Sequence, residues 1–294
     1  MDLSSLTPLE GGWSGRTFLA EAAGERSVVR IYRPGSVTHA AETDAAVLRL
    51  VRGLLPVPEV LEVRPARPEA DQPGLLVTSF LAGVRADELL PTLAPAALGR
   101  VGARLGTLVA ELGGMPMLRA GPFTDPDLAI GDFGVDGLPE FLEQHLPGLG
   151  HLSPPEIEGL REVATQAQVL LDTVARSCLV HGDLNPKNLL LDPETLTVTG
   201  VLDWEFAHAG HPFTDLGNLL RFERRPAFED AVLAAYAERR GTRPDQALPL
   251  ARAADLWALV DLATRRSANP VAARADRLLR AIGRTRDAGT APPA

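Results

Sequence analysis

The chain has 294 residues, 45% of them apolar and 23% charged, with a net charge of −9. That length supports one large domain or two moderate ones, and the acidic balance argues against a phosphate-backbone partner, so no nucleic-acid partner is expected. There is no uncharged apolar run long enough to predict a membrane span, and the opening "MDLSSLTPLEGG" has no basic region followed by an apolar run, so no secretory signal is expected. One cysteine, Cys178, allows no internal disulfide; the expectation is a cytoplasmic protein with no membrane partner, monomeric or homodimeric.

The first eighty residues read as mostly strand. The segment 7–34, "TPLEGGWSGRTFLAEAAGERSVVRIYRP", gives three short strand candidates separated by glycine-rich turns. A helix follows over 39–52, with Ala45, Leu48 and Val51 or Arg52 along one side. Strands are expected again at 59–63 and 74–81. After Gly83 the pattern turns helical. Leu98, Val101, Leu105, Leu108, Val109 and Leu112 keep helical spacing, and Gly113 with Gly114 ends that run. Ser153, Pro154 and Glu156 form a predicted capping box for a helix running to Val174. Two short apolar strands flank residues 181–188, a third is expected at 197–203, and 213–283 reads as helix. Strands followed by helices predict an α+β fold in two lobes with a cleft that can host a ligand. The predicted division is a lobe over 1–80, a helical lobe over 81–285, and a disordered tail over 286–294.

The chemistry concentrates in 181–192, "HGDLNPKNLLLD". Both ends of this loop are pinned by strands, so Asp183 and Asn188 project from one rigid turn. An aspartate can orient a hydroxyl or take its proton, and an asparagine oxygen can bind Mg²⁺ without adding charge. Asp203, in "VLDWE", adds a second carboxylate at the end of a strand-rich run. A metal clamp, a residue that orients a nucleophile, and cationic or amide donors on phosphates are what phosphoryl transfer requires.

These residues resemble the catalytic loop of the eukaryotic-like kinase superfamily, in its small-molecule branch of aminoglycoside phosphotransferases and choline kinases. Protein kinases carry Arg in place of Gly182 and Asp-Phe-Gly in place of "DWE", and no Ala-Pro-Glu segment follows here. The resemblance implies a two-lobed protein-kinase-like fold and transfer of a phosphoryl group from ATP, or GTP, to a hydroxyl of a small molecule. It makes Asp183 the catalytic base, gives Mg²⁺ to Asn188 and Asp203, and lets His181 brace the loop. Asp215, in "GHPFTDLGNLL", is implied as a supporting carboxylate at a helix start.

The first lobe is implied to bind the nucleotide. The glycine-rich "EGGWSGRTF" supplies Ser14 at the loop tip, with Gly15 beside it, near the transferred phosphate. It is neither a Walker A loop nor a dinucleotide fingerprint. Arg30 takes the place of the strand cation, paired with Glu42 on the following helix; a guanidinium can hold phosphate and carboxylate together. The backbone of Ser79 and Leu81 is implied to meet the adenine edge. Glu205 can face a cationic substrate. Lys187, the single lysine, carries three readings: a compact charge near the phosphates, a part in the loop's own packing, or an exposed residue with no role. The acceptor is open at this stage: an aminoglycoside, homoserine, choline, a sugar or a macrolide. The rival from another class is a non-catalytic nucleotide-binding pseudokinase, against which Asp183, Asn188 and Asp203 all stand in place.

Overall fold

The structure, a computed structural model, describes residues 6–9, 15–22, 24–33 and 39–293. In chain order the elements are β1 (Leu6–Leu9), β2 (Gly15–Ala22), β3 (Glu25–Tyr32), α1 (Ala40–Val51), β4 (Val60–Arg64), β5 (Leu75–Ser79), β6 (Val84–Arg85), α2 (Ala86–Leu89) and α3 (Pro95–Leu112). There follow β7 (Pro116–Met117), β8 (Gly121–Pro122), α4 (Leu138–His145), α5 (Pro154–Leu171), β9 (Ser177–Val180), β10 (Leu189–Leu191), β11 (Val198–Val201) and β12 (His208–Gly210). Four helices complete the chain, α6 (Thr214–Leu220), α7 (Pro226–Arg240), α8 (Pro244–Thr264) and α9 (Pro270–Thr285). The α+β character expected from the sequence is present. No helix among the described residues is long and apolar enough to cross a membrane.

The chain divides into two compact units, neither continuous in sequence. The first contains Met1–Ala94, Gly121–Gly131 and His181–Ala209; the second contains Pro95–Ala120, Asp132–Val180 and Gly210–Ala294. A single break near residue 80 is the simpler expectation. Pairing between distant strands explains the difference: β10 lies between β11 and β6, with Leu190 opposite Arg85. Val201 also donates its N–H to the Pro56 carbonyl at 2.8 Å. These bonds draw 181–209 into the unit built by the first 94 residues.

In the first unit, five antiparallel strands run in the order β1-β2-β3-β5-β4. Alternation along β2, β3 and β5 puts Ala20, Val29 and Val77 on a buried face, with Leu6, Ile31 and Leu75 against them. Helix α1 buries Ala41, Ala45, Val47, Leu48 and Val51 and packs on β4 and β5. Arg30 and Tyr32 are two residues apart on β3 and share one face.

The second unit is helical. Helices α3 and α7 pack closely because α3 presents glycines at the crossing: a Cβ on Gly106 would lie 2.3 Å from the Val232 carbonyl oxygen, and one on Gly102 2.8 Å from that of Phe228. The capping box starts α5 as the sequence predicts, with Ser153 N–H donating to Glu156 Oε2 at 2.7 Å. That helix stops at Leu171, short of Val174. Beyond α9, the Arg224 guanidinium donates to the carbonyls of Gly289 and Thr290. Residues 287–290 therefore form a tethered turn where the sequence suggests a disordered tail.

Candidate active site

The loop that carries Asp183 depends on Gly182. Its φ is +81°, and a Cβ there would lie 2.4 Å from the Phe206 carbonyl oxygen. Only glycine enters this backbone region without strain. Asp183 is then held by two amides. Asn185 Nδ2 donates to its Oδ1 at 2.7 Å, and Asn188 Nδ2 donates to its Oδ2 at 3.0 Å. Charge-assisted bonds of this kind fix a carboxylate in one orientation. Asn185 also accepts from Lys187 N–H at 2.9 Å, which closes the turn over Pro186–Asn188. Sequence reasoning passed over Asn185. An asparagine two residues after an aspartate, just before a proline, is the signal that could have found it.

Asn188 and Asp203 are brought together by the main chain. Leu202 donates its N–H to the Asn188 carbonyl at 2.8 Å, which sets Asp203 immediately beside the Asn188 segment. Asp203 itself adopts the left-handed region, at φ 62° and ψ 65°. Aspartate tolerates this better than most residues, and strain of this kind gathers at functional sites. His181, fully buried, links the two segments. Its Nε2 lies 2.8 Å from the Leu202 carbonyl oxygen, and its Nδ1 accepts from Asp183 N–H at 3.2 Å. Its ring packs 4.6 Å from Trp204, centroid to centroid.

Arg30 reaches this cluster from β3. Its Nη1 lies 2.9 Å from Asp203 Oδ1 and its Nη2 lies 2.6 Å from Glu205 Oε2. Burial alone favours the neutral guanidine, but the carboxylates of Asp203 and Glu205 outweigh it and hold Arg30 charged, above the usual arginine range. The expected pairing with Glu42 is not the one formed. Glu42 lies 3.0 Å from His39 Nδ1, one helical turn away in its own segment. Glu205 is correspondingly reassigned: it is the second carboxylate on Arg30, with a side chain 6% exposed, rather than a group presented to solvent for a cationic substrate. The physical reason is direct. Two carboxylates converge on one part-buried cation, which takes the opposite charges nearest to it.

The remaining expectations meet a mixed geometry. Ser14 lies outside the described residues. Gly15 opens β2 opposite Tyr32, and a Cβ on it would lie 2.4 Å from the Ile31 carbonyl oxygen, so strand contact requires it. The Ser79 N–H donates to the Glu59 carbonyl at 2.8 Å, and its hydroxyl accepts from Glu59 N–H, so the N–H expected at an adenine edge is engaged by the neighbouring strand segment. Leu81 follows β5, and its side chain packs over Gly200. Lys187 is exposed. Asp215 is buried in the first turn of α6, which belongs to the other unit. Tyr32 and Asp44, absent from the sequence reading, adjoin Arg30: the Arg30 guanidinium carbon lies 5.3 Å from the Tyr32 ring centroid, and the Tyr32 hydroxyl donates to Asp44.

The donor chemistry at Asn188 and Asp203 suits a hard divalent cation. Asn188 commits its amide nitrogen to Asp183, so the acceptor its side chain can offer a cation is Oδ1. Among the described residues no cluster of three or more His, Cys, Asp or Glu side chains forms an all-protein metal cage. An amide oxygen with one carboxylate is the sparse oxygen set with which Mg²⁺ keeps water and phosphate ligands.

The chain as a whole is similar to known proteins in sequence and in fold. Residues 5–250 match the model of the phosphotransferase enzyme family. The streptomycin 3''-kinase of Streptomyces griseus is 30% identical over 256 residues, covering 79% of this chain and 88% of that protein. Acyl-CoA dehydrogenase family member 11 of Mus musculus is 45% identical over 94 residues, which are 26% of this chain but 12% of that protein. The matched region is thus a small part of those larger relatives. Among solved structures, the GDP complex of aminoglycoside 2'-phosphotransferase-IIIa superposes with a TM-score of 0.72 at 18% identity, covering 97% of this chain and 94% of the other. A thermostable form of aminoglycoside phosphotransferase APH(4)-Ia, in a ternary complex with ADP and hygromycin B, superposes at 0.63 with 22% identity, covering 96% and 92%. The kinase-like fold expected from the catalytic-loop motif is the one these structures share.

Proposed function

The chain belongs to the phosphotransferase enzyme family, and from that premise we propose that it transfers the γ-phosphoryl group of ATP to a hydroxyl of an aminoglycoside-like small molecule. In the step, the acceptor oxygen forms the new P–O bond as the bond from the γ-phosphorus to the β,γ-bridging oxygen breaks. ADP leaves, and the acceptor proton passes to Asp183. The observation that carries the reading is Asp183 fixed by two asparagine amides. Orientation by donors on both oxygens leaves the carboxylate aimed, and aim is most of what a base in phosphoryl transfer contributes.

The other residues have matching roles. Asn188 and Asp203 would hold Mg²⁺, which when bound neutralises charge on the phosphates. Arg30, already charged and fixed by two carboxylates, supplies donors for phosphate oxygens. His181 keeps Asp183 and Asp203 in register. The aminoglycoside class is supported by the streptomycin kinase, which spans most of both chains. A second acceptor class, a hydroxylated acyl thioester, is favoured by the relatives named for acyl-CoA dehydrogenation.

The test is nucleotide consumption in a coupled assay with Mg²⁺ and ATP, then GTP, across aminoglycosides, amino alcohols, sugars and hydroxyacyl thioesters, with Asp183→Ala as the blank. Turnover on an aminoglycoside that vanishes in the variant supports the reading. Turnover confined to a thioester moves the acceptor to the second class. Nucleotide binding with no turnover on any acceptor, unchanged by Asp183→Ala, leaves a pseudokinase.

A further inference from the structure

The strand cation and helix α1 are not joined by a direct ion pair, yet they are connected. Arg30 and Tyr32 share a face of β3, so the guanidinium lies over the Tyr32 ring, 5.3 Å from centroid to guanidinium carbon. The far end of the same ring is tied down: Tyr32 Oη donates to Asp44 Oδ2 at 2.5 Å. Tyr32 is 3% exposed, so the ring has little room to turn on its own. Asp44 stands on α1 two residues beyond Glu42, whose ion pair is with His39. A continuous series of contacts therefore runs from α1 through Asp44, Tyr32 and Arg30 to Asp203 and Glu205.

We infer that Tyr32 and Asp44 are positioning residues for Arg30: the hydroxyl–carboxylate pair locks the ring on which the guanidinium rests, and α1 acts on the phosphate-binding arginine through that ring. The chemistry of the side chains accounts for the arrangement. A lysine ammonium is a point charge that a single helix carboxylate can hold. A guanidinium is planar and longer, presents donors in a fixed fork, and is oriented best by a flat face beneath it. An aromatic ring with one hydrogen-bonded end is such a face, and its two side-chain torsions leave little freedom once both ends are held. Asp44 is also in the electrostatic field of Arg30, and burial pushes its carboxyl up to about 6 against the lowering pull of the Tyr32 hydroxyl and the arginine charge. The inference rests on the nucleotide reading above, since the phosphates that Arg30 meets are those of the nucleotide.

The experiment is isothermal calorimetry of the full chain with Mg²⁺ and the non-hydrolysable nucleotide AMP-PNP, and separately with adenosine, which has no phosphates. Tyr32→Phe removes only the hydroxyl, and Asp44→Ala removes only its acceptor. Each is expected to weaken AMP-PNP about 5- to 10-fold, the loss of one well-placed buried hydrogen bond, while leaving adenosine unchanged. The double variant is expected to be no weaker than either single one, because both break the same link. Asp44→Asn keeps an acceptor for the hydroxyl and is expected to restore AMP-PNP affinity to near that of the parent. Equal loss for AMP-PNP and adenosine, or unchanged affinity for both with a lower melting temperature, would make the pair a structural element and overturn the inference. Should Tyr32→Phe fail to fold, the contrast between Asp44→Ala and Asp44→Asn decides the matter. A parent protein that binds neither ligand sinks the kinase reading and this inference with it, whereas a parent that binds AMP-PNP and variants that bind it equally sink the inference alone.

Discussion

Arg30 Nη1 lies 2.9 Å from Asp203 Oδ1, a contact between residues 173 positions apart. The same guanidinium holds Glu205 through Nη2, so one strand cation is shared by two carboxylates of the "DWE" segment. This pairing, rather than one with the α1 residue Glu42, sets the electrostatics of the site. It separates the roles of the two acids: Asp203 has an oxygen beyond the one facing Arg30, while Glu205 is nearly enclosed.

Glu205→Gln should therefore act on the nucleotide and not on the acceptor. Loss of one charged partner of Arg30 is expected to raise the KM for Mg·ATP by about 3- to 10-fold and to leave the acceptor KM alone. Steady-state kinetics with each substrate varied in turn will show it. The reverse pattern would return Glu205 to the acceptor side.

Asp183→Asn is expected to lower kcat by about 10²- to 10⁴-fold, the range for loss of a positioned acid–base group, with nucleotide affinity unchanged. The substituted amide would also face the amides of Asn185 and Asn188, donor against donor. Turnover at the parent rate would remove Asp183 from the mechanism.

Gly182→Ala places a Cβ 2.4 Å from the Phe206 carbonyl oxygen in a backbone with φ +81°. The expected cost is roughly 2–3 kcal/mol of stability, from left-handed strain together with the clash. Thermal unfolding measures it, and a melting temperature within a degree of the parent would contradict the geometry.

Glu156 gives a pH-dependent prediction. Burial opposes its ionisation, but hydrogen bonds from Ser153 and the charges of Arg280 and Arg284 win and lower it from 4.5 to about 2. A depressed carboxyl stabilises the fold above its unfolded value and loses that contribution as pH falls toward the folded value. The gap in unfolding free energy between the parent and Glu156→Gln should be full above pH 4.5 and shrink toward pH 2. Its full size is on the order of 3 kcal/mol, since each pKa unit corresponds to about 1.4 kcal/mol. Denaturant titrations across that range provide the measurement, and a gap independent of pH would refute it.

Cys178 is fully buried, and burial pushes its thiol up to about 12. Native protein at pH 8 should not react with a thiol-directed disulfide reagent, while denatured protein should react once per chain. Rapid reaction in the native state would show that the strand β9 opens.

How far the sequence carried the reading depends on the range of the interactions involved. The segment 181–192 was legible because its residues act on one another across five positions or fewer. Asp183, Asn188 and the turn between them are fixed by local hydrogen bonds and a glycine in a left-handed conformation. Helix α1, helix α3 and the capping box of α5 were legible for the same reason, since periodicity and end signals are short-range. The bonds between Ser79 and Glu59 were not legible, because they form only when the segments carrying β4 and β5 come together.

By itself the sequence determined the family of chemistry, through residue types at fixed spacing in a pinned loop. The tertiary structure alone decided which carboxylates Arg30 meets, that Tyr32, bonded to Asp44, stands beneath it, and that 181–209 joins the unit of the first 94 residues. The physical reason is that these contacts are set by strand register and burial. A part-buried guanidinium takes whichever carboxylates the fold brings within 3 Å, and no spacing along the chain records which those are.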